Sequence, residues 1–139
     1  PEFARGLGEA EKALAPGMKH RHYAPNTPLI LVEAEDYGEL QRLLDATRRA
    51  VLDYKMRGFK VAVISYAETY KHYEGIADSV LVVGSRGNIY EVARNLFATL
   101  RTLDKLNVDV AIMEGVEDKG LGLAVMNRVR KASTSRIKA

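Results

Sequence analysis

Between Pro16 and Pro25 the chain reads Pro16-Gly17-Met18-Lys19-His20-Arg21-His22-Tyr23-Ala24-Pro25, placing two cations, two imidazoles and a phenol in five consecutive residues. Proline disfavours helical geometry for the residue before it, so Ala15, Ala24 and Thr27 are pushed towards extended or polyproline backbone and the charges are presented on a strap. Near-β geometry would place Lys19, Arg21 and Tyr23 on one face and His20 and His22 on the other, a division that a polyproline twist would blur. A mobile lysine charge and a planar arginine fork suit an anionic, hydrogen-bonding ligand. The plainer reading is a solvated basic linker ahead of a domain. Against it stands Tyr23, since a segment needing only reach favours small polar residues.

Further along, candidate chemistry gathers where apolar runs end. Glu33 and Glu35, Ser65 and Tyr66, Ser85 and Arg86 within Gly84-Ser85-Arg86-Gly87, and Glu114-Gly115 all follow strand-like segments. In open α/β sheets ligands sit beyond the carboxyl ends of the strands, so Ser65, Tyr66, Ser85, Arg86 and Glu114 form a possible ligand crevice. Gly84 to Asn88, and Gly120-Leu121-Gly122, also offer helix starts to an anion. The alternative is that these are turns and helix caps. Val125 stands where a dinucleotide fingerprint needs its third glycine. No metal site is expected, because His72 is the only histidine besides His20 and His22 and cysteine is absent. Ser65 and Ser85 lack a nucleophile elbow and an adjacent base. Arg128, Arg130 and Lys131 read either as a solvated helix face or as a patch for tRNA or a partner. Tyr66, Tyr70 and Tyr73 read as packing.

These residues must be positioned by a regular framework, and the hydrophobic periodicity supplies one. Leu29 to Val32, Val61 to Ile64, Val80 to Val83 and Val108 to Met113 are short runs rich in β-branched residues, as expected of strands buried on both faces. Between them, Leu40, Leu43, Leu44, Thr47, Val51 and Tyr54 keep helical spacing, with Gly58 placed to end the helix. Ile89, Val92, Ala93, Leu96, Phe97, Leu100 and Leu103 form a second stripe, and Leu121, Val125 and Val129 a third. Tyr66 to Ser79 is the tightest crossover, with one or two helical turns expected over Glu68 to Tyr73. The alternation predicts an α/β, three-layer Rossmann-like sandwich, its mostly parallel sheet of four to five strands carrying helices on both faces. The expected organisation is a cloning remnant or the end of a preceding domain at 1–14, a linker at 15–28, the Rossmann-like domain at 29–132 and a polar tail at 133–139 that frays.

At 139 residues with 47% apolar content, the chain can bury one core and does not need two. It has no cysteine, which excludes disulfides. No apolar run approaches the roughly 20 residues that span a bilayer, so cytoplasm is the expected location, with no membrane partner. A net charge of +3 is short of the basic stripe of a committed nucleic-acid binder.

The motif Lys-x-Arg-His-Tyr-x-Pro, here Lys19, Arg21, His22, Tyr23 and Pro25, resembles the interdomain linker of two-domain threonylcarbamoyl-AMP synthases. Ala93 to Asp104 and Gly120 to Ala132 are similar to segments of that family's C-terminal domain, so the resemblance runs from about Ala15 to Thr134. It implies a YrdC-like catalytic domain of roughly 200 residues ahead of this chain. That domain condenses ATP, with Mg, L-threonine and bicarbonate into threonylcarbamoyl-adenylate and pyrophosphate. The product feeds the tRNA threonylcarbamoyl-transfer machinery. The linker, through Lys19, Arg21, His22 and Tyr23, would lie across the catalytic cleft and gate it, while His20 falls on a variable position. On this reading the chain holds no catalytic residue, is assigned no cofactor and is inactive alone, its folded domain either anchoring the strap or binding a nucleotide in its crevice. The reading from a different class is a stand-alone nucleotide or small-molecule binding module with a basic partner-binding arm; a tRNA-contact domain is the third.

Overall fold

The computed structural model describes residues 25–139, so the motif residues Lys19, Arg21, His22 and Tyr23 lie outside the described residues. The elements alternate as β1 (Leu29–Glu33), α1 (Leu40–Met56), β2 (Val61–Ser65), a 3-10 turn (Tyr70–His72), β3 (Ser79–Val82), α2 (Ile89–Lys105), β4 (Val110–Glu114), α3 (Leu121–Ala132) and β5 (Ser135–Lys138). The five strands form one parallel sheet in the order β3-β2-β4-β1-β5. This is the expected three-layer α/β sandwich.

Strand alternation divides the core in two. Leu29, Leu31, Ala62, Ile64, Ala111 and Met113 point to the face covered by α2 and α3. Ile30, Val32, Val61, Val63, Val110 and Ile112 point to the face covered by α1. A shared crossover handedness accounts for this placement. From β1 to β2 the chain moves one way across the sheet, whereas β3 to β4 and β4 to β5 move the other way. Their helices therefore fall on opposite faces. Leu96, Leu100 and Leu103 are buried along α2, and full burial of such a side chain is worth about 1.5–3 kcal/mol.

Local signals set the helix ends. The Asn88 side chain accepts from the Glu91 N–H and caps α2. Gly58, at φ +88°, ends α1 as expected, with the Phe59 N–H returning to the Tyr54 carbonyl.

Three expectations need correction. The tail beyond Ala132 does not fray: Ser135–Lys138 is the edge strand β5, paired in parallel with Ile30 to Glu33. Its polar composition is explained by that edge, where only Ile137 is partly buried. The basic end of α3 is solvated only at Lys131, which is exposed. Arg128 is buried with its guanidinium over the Phe97 ring, and Arg130 bonds Glu33 at 2.6 Å and Asp118 at 2.7 Å. Those acceptors hold the Arg130 guanidinium well above its ordinary pKa, with Asp118 contributing most. The strand read from Val108 begins at Val110.

Candidate functional site at the carboxyl edge of the sheet

Neighbouring strands β1 and β4 send their following helices to opposite faces, which makes their carboxyl ends the topological switch point of the sheet. Strand alternation places Glu114, the last residue of β4, on the α1 face beneath the 3-10 turn. It is wholly buried. Its Oε1 accepts from Thr69 Oγ1 at 3.1 Å and from Arg86 Nη2 at 3.0 Å, and its Oε2 accepts from the Tyr73 hydroxyl at 2.5 Å. Its backbone carbonyl accepts from the Tyr66 hydroxyl at 2.9 Å. Burial raises the pKa of both phenols, and the Glu114 charge adds to it, so both remain hydrogen-bond donors at neutral pH.

Arg86 reaches this carboxylate from the loop between β3 and α2. Its side chain is 15% exposed, its Nη2 also donates to the Gly115 carbonyl at 2.6 Å, and its guanidinium stacks 4.3 Å from the centroid of Tyr66. Nε and Nη2 are thus engaged. Nε donates to Glu114 Oε1 at 3.3 Å, and among the described residues Nη1 makes no hydrogen bond.

Above this pair lies a cavity of about 350 Å³, lined on its polar side by Tyr37, Arg86, Glu117 and Lys119 and on its apolar side by Leu40, Ile89 and Val116. The Tyr37 hydroxyl accepts from the Ala34 N–H at 3.2 Å, leaving its own proton free to donate, and burial raises its pKa. Gly115 permits this closeness: a Cβ there would sit 2.7 Å from Tyr37 Oη and 3.0 Å from the Val32 carbonyl.

Of the crevice residues expected from sequence, Tyr66, Arg86 and Glu114 come together, and Arg86 alone lines the cavity. The Ser65 hydroxyl donates to the Leu81 carbonyl within the sheet. Ser85 belongs to a separate arrangement. The helix start at Gly84 to Asn88 is already filled by the chain's own carboxylates: Glu68 accepts from Ser85 Oγ and from the Arg86 N–H at 2.7 Å, and Glu91 accepts from the Ser85 N–H at 2.8 Å. Burial by itself would raise the Glu68 pKa, but these hydrogen bonds outweigh it and hold the carboxyl below its ordinary value. At the second expected place, the Gly122 N–H donates to the Lys119 carbonyl. Among the described residues no cluster of His, Cys, Asp or Glu could hold a metal ion, and no helix is long and apolar enough to cross a membrane.

Tyr37, Thr69, Tyr73, Glu117 and Lys119 escaped sequence reasoning. Tyr73 and Thr69 flank a turn that looked like simple packing, and Tyr37 had only its position just past β1 to mark it.

The opposite edge receives the chain. The Asp104 carboxylate, at the end of α2, accepts from the Asn26 N–H at 3.0 Å and from the Thr27 N–H and hydroxyl at 3.1 Å each, pinning the residues that follow Pro25.

The sequence profile described as the threonylcarbamoyl-AMP synthase C-terminal domain matches residues 2–134. Threonylcarbamoyl-AMP synthase of Pyrococcus abyssi is 46% identical over 91% of this chain, and that of Bacillus subtilis 37% identical over 96%. The chain spans about a third of each, 34% and 36% of their lengths. Among solved structures, P. abyssi Sua5 complexed with L-threonine superposes with a TM-score of 0.68 at 44% identity, covering 90% of this chain and 34% of that one. The C-terminal Sua5 domain from Pyrococcus horikoshii gives 0.64 at 42% identity, covering 84% of this chain and all of the other. Matched by that profile along nearly its whole length, the chain belongs to the family of threonylcarbamoyl-AMP synthase C-terminal domains.

Proposed function

We propose that this chain is the C-terminal domain and gating linker of a two-domain enzyme that makes threonylcarbamoyl-adenylate and pyrophosphate from ATP, L-threonine and bicarbonate, for threonylcarbamoyl-adenosine modification of tRNA in the cytoplasm. The observation that carries this reading is the family match across residues 2–134, in a chain that spans only about a third of its relatives. The ligand named for the P. abyssi protein, L-threonine, agrees with it.

Mechanistically, the work of this chain is electrostatic cover. Triphosphate, carbamate and the threonine carboxylate are all anionic, so a strap carrying Lys19 and Arg21 offsets their mutual repulsion as it closes over the neighbouring catalytic domain. His22 and Tyr23 complete the cover, the Tyr23 ring excluding water that would hydrolyse a carbamate while its hydroxyl donates a hydrogen bond. ATP enters with Mg as a substrate of the catalytic domain. The Asp104 clamp on Asn26 and Thr27 gives the strap a fixed root directly after the motif.

In the full-length protein, Tyr23→Ala should lower the rate of pyrophosphate release at least about tenfold, with the thermal midpoint essentially unchanged. An unaltered rate removes the gating role. The isolated chain supplied with all three precursors should release no pyrophosphate, and any turnover by it overturns the division of labour.

A further inference from the structure

The carboxyl-edge cavity carries its own inference. A buried ion pair rarely stabilises a fold better than apolar packing would, yet Arg86 is held at the cavity floor by Glu114, whose carboxylate also accepts from Thr69 and Tyr73. Such an arrangement fixes one guanidinium in one orientation. Its engaged edge faces Glu114 and Gly115, and Nη1 is left without a partner among the described residues.

We propose that this cavity binds a nucleoside phosphate, with the phosphate on Arg86 Nη1, the Tyr37 hydroxyl and Lys119, and the base against Leu40, Ile89 and Val116. Four observations converge on it. The cavity lies at the switch point between β1 and β4, where open α/β sheets receive ligands. Its volume of about 350 Å³ falls within the usual range for small-molecule pockets, about 300–1,000 Å³. The groups offered to the ligand's head are donors: Tyr37 already accepts from Ala34, so its proton points elsewhere, and Arg86 can only donate. Because Glu114 neutralises Arg86, the charge of the phosphate is met by Lys119, while Glu117 is an acceptor suited to ribose hydroxyls.

The test is an amide-resonance titration of this chain with AMP, and in separate arms with adenosine and with inorganic phosphate. No catalytic domain is present to compete, so the outcome is separate from that of the gating reading. Saturable AMP shifts at Gly115, Val116 and Lys119 are expected, with adenosine and phosphate each at least about tenfold weaker. Lys119→Ala and Tyr37→Phe should each weaken AMP several-fold. Lys119 is exposed, so its variant leaves the fold intact and keeps the result readable. Absence of saturable shifts with millimolar AMP overturns the proposal, as does phosphate alone binding as tightly as AMP. Loss of AMP binding in Arg21→Ala but in neither cavity variant would also overturn it, by moving the anion to the strap.

Discussion

The two edges of this sheet use carboxylates in opposite ways. At the amino edge, three exposed aspartates each tie down local groups: Asp104 holds Asn26 and Thr27, Asp109 accepts from the Lys60 N–H at 2.7 Å, and Asp78 accepts from the Val61 N–H at 2.7 Å and from Lys55 Nζ at 2.8 Å. Water can replace any one of these contacts. At the carboxyl edge, the buried Glu114 gathers Arg86, Thr69 and Tyr73 at once, and no water stands ready to replace a lost partner. The lesson is that the amino edge is a set of separable staples suited to anchoring a strap. The carboxyl edge is an interdependent network suited to holding one donor in place.

That contrast is broken most severely by Glu114→Ala, which leaves the Arg86 charge nearly buried and uncompensated and strands two hydroxyls. It should cost about 3–5 kcal/mol in urea unfolding. A cost near that of an exposed aspartate would mean the network is not interdependent. Asp104→Ala, by comparison, should cost about 1 kcal/mol, because the freed N–H groups of Asn26 and Thr27 can turn to solvent. The smallest effect sharpens the amino edge alone. The hydrogen bond from Lys55 holds the Asp78 carboxyl below its ordinary value of 3.8. A depressed folded-state value means that its contribution is complete above that ordinary value and is lost as pH falls through the lower folded value. Asp78→Asn should therefore flatten the acid limb of the stability profile below about pH 4, with little change at neutrality. An unchanged acid limb would show that Asp78 is paired no better in the folded chain than in the unfolded one.

Much of the fold is legible in the residues themselves. The short, continuous apolar runs Leu29–Val32 and Val61–Ile64, bounded by turn or charged residues, read as strands covered on both faces, and the stripe from Ile89 to Leu103 as a helix, because run length and a 3.6-residue spacing report how each element is buried. The strand at Ser135–Lys138 was not legible. An edge strand borrows half its hydrogen bonds from a neighbour and needs little apolar character of its own, so its sequence resembles a loose tail. The site was partly legible for a similar reason. Arg86 and Glu114 stood at strand ends, where ligands are sought, but nothing local announces that Thr69 and Tyr73 turn inward onto a carboxylate 45 and 41 residues away.

By itself the sequence determined the class of fold, the strands and helices that compose it, and the motif segments that align it with its family, since all of these depend on short-range spacing and residue type. Tertiary structure alone decided that Glu68 and Glu91 fill the anion-accepting helix start, that Arg130 is bound between Glu33 and Asp118, and that Arg86, at the floor of a cavity, keeps Nη1 without a partner among the described residues. Whether a charged side chain is offered to a ligand or consumed by a neighbour depends on which distant residues the sheet order brings beside it, and no local pattern encodes that pairing.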